Sequence, residues 1–353
     1  MGFGEYWLKM NRRYNYISEY YKKIFGERTL KICIDGGFTC PNRDGKIGTG
    51  GCIFCSEKGS GELIKNNELI SNNIGDIDFV VKNISNQVDQ YLKSYKAERA
   101  NKFIVYFQNY SNTYDSIENL KRKYDAALID DRVVGLAIAT RPDCINDDVA
   151  KLISSYTNKY YVSVELGLQT ADDAIGAMIN RGYNCDDYKK AISILKQYDI
   201  DIVTHIMCGL PYEERKIDID YNEALNINDI KSGRYISNDT KMTLDLINSS
   251  DIDGVKIHST YVVKNTILEN LYKNGDYIPL SLEEYMYNLL YVVTHLSPNM
   301  IIHRICADAP KNILVAPEWN AHKKWVLNGF ENKMRELELM QGCFYSKQMH
   351  YNN

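Results

Sequence analysis

The chain has 353 residues, with 46 acidic and 42 basic side chains and a formal net charge of −4 at pH 7. Its hydrophobic content of 44% and charged content of 25% are those of a globular protein of one large or two small domains. The charge argues against a uniformly basic, nucleic-acid-coating surface, and no apolar run reaches the roughly 18 residues of a membrane span.

Apolar runs of strand length alternate with amphipathic helical segments along most of the chain. The predicted strands are 29–36, 102–108, 132–140, 160–169, 201–210 and 254–260. The predicted helices between them are 79–95, 116–129, 146–157, 185–198 and 240–250, the third with Asn146 as its cap. Strands that are apolar on both faces and separated by helices indicate a parallel sheet covered by helices. Because no glycine-rich dinucleotide motif follows the first strand, an α/β fold with a partial (β/α)6 barrel is favoured over a three-layer Rossmann sheet.

The regions around this alternation give the predicted domain organisation. Residues 1–28 form an N-terminal extension, 29–275 the barrel, and 276–353 a C-terminal α/β extension with a helix, a strand and a terminal helix over 320–341. The polar, Asn- and Asp-rich residues 212–239 are predicted to be an insertion after the fifth strand. The aromatic, basic start has no signal-peptide apolar region, so we expect a cytosolic protein without membrane association.

Three of the nine cysteines lie on one glycine-rich loop directly after the first strand, "TCPNRDGKIGTGGCIFC" over 39–55. Cys40, Cys52 and Cys55 have the spacing C-x11-C-x2-C. This three-cysteine loop follows the carboxyl end of a strand, where α/β folds carry their active sites. Three thiolates suit either a zinc site with a distant fourth ligand or a [4Fe–4S] cluster with one open iron. The six other cysteines are scattered and are interpreted as small buried side chains.

The three-cysteine loop resembles that of radical S-adenosylmethionine (SAM) enzymes. Their usual C-x3-C-x-aromatic-C spacing has an eleven-residue first gap here, which matches the subgroup related to the catalytic subunit of Elongator. The resemblance spans nearly the whole chain except 212–239. It is carried by FTCPNRDG (38–45), GGCIFC (50–55), FQNYSNTY (107–114), TRPDC (140–144), VELGLQT (164–170), NRGY (180–183), HIMCGLP (205–211), VKIHSTYVVKNT (255–266), SLEEY (281–285), HRICADAP (303–310) and LVAPEW (314–319).

The resemblance implies that Cys40, Cys52 and Cys55 hold one [4Fe–4S] cluster and that SAM binds its open iron. Reduction of SAM would yield a 5′-deoxyadenosyl radical that abstracts hydrogen from the substrate. The resemblance also implies an electron donor such as flavodoxin or ferredoxin and a tRNA substrate, with wobble uridine as the target. The alternatives are a radical SAM enzyme acting on a small molecule or peptide and, from another class, a non-catalytic zinc-binding RNA-binding module.

Four residues on the loop and on the second and third strand ends are predicted to contact SAM. Phe54 is an aromatic side chain that packs over the cluster or the adenine. Gln108 and Asn109 replace the Gly-Gly-Glu-like stretch of the superfamily, which is absent here, and the alternative is an ordinary polar strand end. Arg141 offers a bidentate partner for the SAM carboxylate, with a surface salt bridge as the alternative.

The fourth and fifth strands supply the other predicted SAM contacts. Glu165 and Gln169 share one face of a strand because side chains alternate with a period of two. A carboxylate among apolar neighbours needs a partner, which is either a ribose hydroxyl of SAM or an internal ion pair. Gly209 suits close approach of the backbone to the adenine.

Three histidines near strand ends, His205, His258 and His303, are the candidate catalytic residues. The alternative for each is a core histidine with satisfied hydrogen bonds.

The N-terminal extension interleaves basic residues with tyrosines, and such a surface can bind RNA phosphates and bases. The alternative is the solvated face of a helix that covers the barrel. The basic residues are Lys9, Arg12, Arg13, Lys22, Lys23 and Arg28.

Overall fold

A curled parallel sheet of seven strands forms the centre of the protein in a computed structural model that describes residues 12–59, 64, 75–211, 220–307 and 309–346. The strand order β1-β2-β3-β4-β5-β6-β8 follows the chain, as expected for successive β/α units. The prediction of an α/β fold with a partial barrel is therefore confirmed. The strands are β1 (Thr29–Ile34), β2 (Lys102–Phe107), β3 (Val133–Thr140), β4 (Tyr161–Gln169), β5 (Asp201–Cys208), β6 (Gly254–Ser259), β7 (Val262–Val263), β8 (Ile301–Arg304) and β9 (Leu314–Ala316).

Helices connect these strands, and β7 and β9 form a small antiparallel pair outside the barrel. Side-chain caps fix several helix starts; Asn146, for example, accepts a hydrogen bond from the backbone of Val149 at 2.9 Å, as predicted. The described helices are α1 (Ile17–Phe25), α2 (Ile77–Leu92), α3 (Ile117–Asp125), α4 (Asp147–Ser154), α5 (Asp173–Met178), α6 (Cys185–Leu195), α7 (Tyr221–Ala224), α8 (Ile227–Ser232), α9 (Asn238–Ser249), α10 (Ile267–Asn274), α11 (Leu282–His295) and α12 (Lys323–Glu336). None of them is both long and apolar enough to cross a bilayer.

Helix α1 closes the barrel at the amino ends of the strands. Tyr20 donates a hydrogen bond to Asp201, the first residue of β5, at 3.3 Å. Lys102, which begins β2, donates to the carbonyl oxygen of Phe25 at 2.8 Å. The ring of Phe25 also meets Tyr161, which begins β4. The three-cysteine loop leaves the opposite, carboxyl end of β1, so α1 and this loop lie at opposite ends of the barrel.

The basic residues around α1 are partly neutralised within the protein. Arg12 pairs with Glu331 at 3.2 Å, and Lys22 pairs with Glu19 at 3.1 Å. Together with the position of α1, these pairs favour the alternative that the helix is a cover of the barrel. Lys9 lies outside the described residues.

The C-terminal extension contributes to the barrel itself. Its strand β8 pairs in parallel with β6, with Gly254 opposite Ile301, and supplies the seventh strand. The backbone nitrogen of Ile302 in turn bonds to the carbonyl oxygen of Asn15 at 2.7 Å, on the outer edge of β8. The extension is thus continuous with the sheet that the first six strands form.

The predicted insertion is helical where it is described. Residues 212–219 lie outside the described residues, and α7 and α8 follow. Ile230 is fully buried, and the Tyr287 hydroxyl of α11 donates to the carbonyl oxygen of Asp229 at 2.7 Å. This part of the segment therefore packs against α11 rather than projecting from the protein.

Candidate active site

A cavity of about 830 Å³ occupies the interior of the partial barrel. This volume lies in the upper part of the range of ligand pockets, roughly 300–1,000 Å³. Phe54 and Cys55 of the three-cysteine loop form one wall. The strand residues that line it, here called the floor, are Lys31, Tyr106, His205, Lys256, His258 and Arg304. Tyr91, Tyr95 and Lys96 line it from the end of α2 and the turn that leads to β2. The cavity therefore joins the loop to the inward face of the strands.

The three-cysteine loop folds around the side chain of Arg43. The Nη2 atom of Arg43 donates to the carbonyl oxygens of Cys55 at 2.9 Å and Ser56 at 2.6 Å. Gly51 has a φ of +70°, and a Cβ atom there would lie 2.7 Å from the Nε atom of Arg43. Gly51 is therefore required both by its left-handed backbone and by the close approach of the guanidinium.

The three thiols lie close enough to affect one another electrostatically. Burial raises the pKa of Cys52 to about 12, and the nearby Cys55 and Cys40 thiols add to the rise. Three such thiols are the donor set that a [4Fe–4S] cluster with one open iron requires. In the described part of the chain, no three His, Cys, Asp or Glu side chains converge on one point to hold a single metal ion. A cluster does not need such convergence, because each thiolate binds a different iron, so the residues fit a cluster.

A second segment of the chain holds the three-cysteine loop in place through two hydrogen bonds that join Asn42, Gly51 and Asn180. We call these two hydrogen bonds the asparagine clasp. Asn42 donates to the carbonyl oxygen of Asn180 at 2.6 Å, and Asn180 donates to that of Gly51 at 2.7 Å. The backbone nitrogen of Ile53 also bonds to the carbonyl oxygen of Ile179 at 3.1 Å. The loop is therefore fixed to the segment that follows α5.

Arg181 anchors the segment that carries the clasp. Its side chain is fully buried and donates from Nη1 to the carbonyl oxygens of Leu168 at 2.8 Å and Thr170 at 2.6 Å. Nε donates to the carbonyl oxygen of Tyr183 at 2.9 Å, and Nη2 pairs with Asp173 at 2.6 Å. One guanidinium thus links the end of β4, α5 and the segment beside the three-cysteine loop.

Arg141 lies beside this segment and is engaged by protein groups. Its Nε and Nη2 atoms bind the two carboxylate oxygens of Asp143 at 2.9 and 2.8 Å. Nη1 donates to the carbonyl oxygen of Arg181 at 2.9 Å, and the guanidinium lies over the Tyr183 ring. Arg141 makes a salt bridge, as in its alternative interpretation, although a buried one. A contact with the SAM carboxylate stays a prediction.

Glu165 is the centre of an ion network at the floor of the cavity. Its Oε1 atom pairs with Lys31 at 2.7 Å, and its Oε2 atom pairs with Lys256 and accepts a hydrogen bond from His205 at 3.0 Å. Lys256 also donates to the Tyr106 hydroxyl at 3.1 Å. Glu165 thus makes internal ion pairs, the alternative to a ribose contact, and its predicted role in SAM binding stays a prediction.

The pKa values in this network follow from burial and from the unequal surroundings of the two lysines. Burial alone would raise the pKa of Glu165, but Lys256 and Lys31 outweigh it and hold that pKa well below its usual range. Burial would lower the pKa of Lys31, but Glu165 outweighs it and raises that pKa. Burial lowers the pKa of Lys256 to about 7 despite Glu165, because Lys31 and Arg304 also oppose its charge. Of the two lysines, Lys256 therefore loses its proton at the lower pH.

Two of the three candidate catalytic histidines line the cavity. The rings of His205 and His258 stack with their centroids 5.2 Å apart. Burial and Lys256 lower the pKa of His205 to about 4, and burial and His205 hold the pKa of His258 well below its usual range. Both are therefore neutral near pH 7. His303 is buried against Gly254, outside the cavity lining, and a catalytic role for any of the three stays a prediction.

The remaining predicted SAM-binding residues divide into two groups. Phe54, Gln108 and Gln169 line the cavity. Asn109 is fully buried and does not line it. Gly209 also lies outside the lining; its φ is +75°, and a Cβ atom there would lie 2.5 Å from Leu280. This packing gives a structural reason for the glycine, and its contact with adenine stays a prediction.

Sequence reasoning missed four charged or polar residues of the strands that line the cavity: Lys31, Cys33, Tyr106 and Lys256. A signal was present, because Lys31 and Cys33 alternate with apolar residues on β1, as Lys256 and His258 do on β6. That period of two indicates a polar inward face. Arg43, Asn42 and Asn180 carried no such signal, because their partners are distant in sequence.

Comparison with known families decides what this site belongs to. The model of the radical SAM superfamily matches residues 43–220, and that of the radical SAM C-terminal domain matches residues 252–336. The chain belongs to the radical SAM superfamily. It is thus a radical SAM enzyme that uses a [4Fe–4S] cluster and SAM, which sets aside the zinc-binding module.

Individual relatives place this radical SAM chain near the Elongator-related subgroup. It is 32% identical over 336 residues to YtqA of Bacillus subtilis, covering 95% of this chain and 94% of the relative. It is 32% identical over 181 residues to the tRNA uridine(34) acetyltransferase of Dehalococcoides mccartyi, covering 51% of this chain and 34% of that protein. The solved structure of Elp3 from Methanocaldococcus infernus has a similar fold, with a TM-score of 0.54 and 19% identity over 86% of this chain and 63% of that one.

Proposed function

We propose that this radical SAM enzyme modifies a nucleoside of tRNA, with wobble uridine as the target, and that Cys40, Cys52 and Cys55 hold its cluster. The observation that carries the substrate proposal is the similarity to a tRNA uridine(34) acetyltransferase, 32% identity over about half of this chain. The aligned region covers 34% of that protein, so the similarity extends over only one part of the longer relative.

The residues around the cavity have distinct roles in this proposal. When bound, the cluster and SAM would supply the radical chemistry. Cys55 and Phe54 form a cavity wall, so a group held on this loop faces the barrel interior. Helix α1 covers the amino ends of the strands, which limits access of water to the cavity from that end.

The end of α2 and the turn after it carry side chains that can bind single-stranded RNA. Tyr95 is 76% exposed there, with Tyr91 and Lys96 beside it on the same wall. Exposed aromatic rings stack with unpaired bases, and lysine attracts the phosphates. We therefore propose that RNA contacts these side chains, which lie toward the amino ends of the strands, since the ring of Tyr91 meets Phe103 of β2 with centroids 6.1 Å apart. A flavodoxin or ferredoxin is the proposed electron donor.

The test is nucleoside mass spectrometry of bulk tRNA from a strain that lacks the gene. We expect one modified uridine to disappear, and its precursor to accumulate, because the reaction would stop before the radical step. Wild-type protein and the Cys343→Ala variant should restore it, whereas Cys52→Ala should not. An unchanged nucleoside profile would refute the tRNA proposal and favour the small-molecule or peptide substrate.

A further inference from the structure

We infer that Cys33 and Tyr106 together donate a hydrogen atom to a carbon radical in the cavity, with Cys33 making the transfer and Tyr106 restoring the thiol. The inference rests on the proposed function only in placing the cluster on the three-cysteine loop, and it does not depend on a tRNA substrate. Both side chains lie on the inward face of the sheet, in the cavity that Phe54 and Cys55 also line.

Cys33 is a thiol that faces the cavity. It is the one exposed residue of β1, and it is among the residues that line the cavity. All nine cysteines lie in the described part of the chain, and of these only Cys33 and Cys55 line the cavity. Cys55 is a proposed cluster ligand, which would leave Cys33 as the cavity thiol that retains its hydrogen. The exposure of Cys33 also lets this hydrogen exchange with solvent.

Tyr106 lies beside Cys33 on the next strand. The two residues are partners in the parallel register of β1 with β2, and adjacent strands lie about 4.8 Å apart. Because both residues line the cavity, their side chains point to the same face of the sheet. Tyr106 is almost fully buried, and its hydroxyl accepts a hydrogen bond from Lys256 at 3.1 Å. The phenol is therefore held on the same wall as the thiol.

Both groups keep their hydrogens near neutral pH. Enclosure within the protein raises the pKa of Cys33, although the nearby Arg304 opposes part of this rise. Burial, together with the charge of Glu165, raises the pKa of Tyr106 well above its usual range. A thiolate or a phenolate has no hydrogen atom to give, so these raised pKa values keep the pair in the form that can donate.

The transfer steps balance in atoms and electrons. A carbon radical takes the hydrogen atom of Cys33, so that a C–H bond forms, the S–H bond breaks and the unpaired electron passes to sulfur. The Tyr106 hydroxyl then gives its hydrogen atom to this sulfur, and the unpaired electron passes to the phenolic oxygen. One electron from the one-electron donor of the cluster and one proton from solvent restore the tyrosine. The first step is favourable because an S–H bond is weaker than an aliphatic C–H bond.

His258 indicates that a ligand occupies the cavity that this pair lines. It lines the cavity from β6, and its Nε2 atom is buried without a hydrogen-bond partner among the described residues. A buried nitrogen without a partner is costly, so a polar atom of a ligand is expected beside it. A carbon radical on such a ligand would lie inside the chamber that contains the Cys33 thiol.

The test traces the hydrogen in 5′-deoxyadenosine, the product of SAM cleavage, when no substrate is present. Cluster-loaded protein is reduced with dithionite in heavy water and thiol-free buffer, and the product is analysed by mass spectrometry. We expect wild-type protein to form 5′-deoxyadenosine that contains deuterium, because Cys33 supplies the hydrogen and its thiol exchanges with solvent. Cys33→Ala should lose most of this deuterium. Cys343→Ala is the matched control, since Cys343 is exposed but lies outside the cavity lining, and it should behave as the wild type does.

Electron paramagnetic resonance of samples frozen during the same reaction gives a readout that a merely structural role would not change. We expect a phenoxyl radical in the wild type and none in Cys33→Ala or Tyr106→Phe, while both variants retain the visible absorbance of the cluster. Wild-type protein that forms no 5′-deoxyadenosine without substrate, or forms it without deuterium, would overturn the inference, as would an equal deuterium content in Cys33→Ala. Deuterium transfer without a phenoxyl radical would overturn the role of Tyr106. Deuterated product beside an unchanged tRNA nucleoside profile would refute only the tRNA substrate.

Discussion

Replacement of Arg181 by methionine should both destabilise the fold and loosen the three-cysteine loop. Methionine retains much of the length of the side chain but removes all four hydrogen bonds, which measure 2.6–2.9 Å. Leu168 and Thr170 are themselves fully buried, so their carbonyl oxygens would lose a charged donor without gaining water. Asp173 would lose its partner but is half exposed and can be hydrated.

The magnitude follows from the burial of these groups. Removing one partner of a buried charged network costs about 3–5 kcal/mol, because the remaining groups are left uncompensated. Arg132→Met is the matched control: Arg132 is 45% exposed and pairs with Asp130 two residues away. An exposed pair of this kind contributes at most about 1 kcal/mol. Urea unfolding of the two variants should therefore differ by several kcal/mol in the free energy of unfolding.

The second readout is retention of iron. Since Arg181 anchors the segment that carries the asparagine clasp, Arg181→Met should lose iron to a chelator faster than the wild type under native conditions. Asn180→Ala, which removes one hydrogen bond of the clasp, should show the same loss of iron; because Asn180 has a φ of +54°, alanine there should also cost about 1 kcal/mol of stability, less than Arg181→Met. Stability of Arg181→Met within 1 kcal/mol of Arg132→Met would refute the energetic argument. Unchanged iron retention in both Arg181→Met and Asn180→Ala would show that the clasp does not stabilise the three-cysteine loop.

Three further predictions concern the cluster, the ion network and α1. Cys52→Ala should abolish the visible absorbance of the cluster and SAM cleavage, whereas Cys343→Ala should retain both; a coloured Cys52→Ala protein would contradict the ligand set. The pKa of Lys256 is lowered to about 7 in the fold from 10.5, so the unfolded chain binds more protons in between. Wild-type stability relative to Lys256→Met should thus rise with pH from about 7 to 10.5, and a pH-independent difference by urea unfolding would contradict it. Lys22→Ser should leave the salt dependence of tRNA binding unchanged, because Lys22 already pairs with Glu19 at 3.1 Å; a flatter slope would support the N-terminal RNA contact instead.

The barrel was predictable because its signal is local. Apolar runs such as that over 132–140 identify strands buried on both faces, and the Asn146 cap marks a helix start in the sequence itself. The seventh strand was less evident as part of the sheet, because the pairing of β8 with β6 depends on α11 returning the chain to the barrel. The sequence alone does not show beside which strand the chain returns to the sheet.

The site was predictable at its loop and not at its floor. Three cysteines on one glycine-rich segment are conspicuous, and Glu165 stands out as a carboxylate in an apolar strand. The partners of Glu165 do not, since Lys31 and Lys256 lie 134 and 91 residues away. Which of two interpretations applies to such a carboxylate depends on these distant cations. Arg141 differs, because its bidentate partner Asp143 lies only two residues further on and was visible in the sequence.

The sheet ends at β1 on one side and β8 on the other, and the cavity is lined from both strands, by Cys33 and Arg304. The described strands β1 and β8 share no backbone ladder, and α1 contacts both of them. In a closed barrel, a continuous set of backbone hydrogen bonds fixes the width of the interior. Here the width of the cavity beside Cys33 and Arg304 depends instead on how α1 and the side chains of the two edge strands pack.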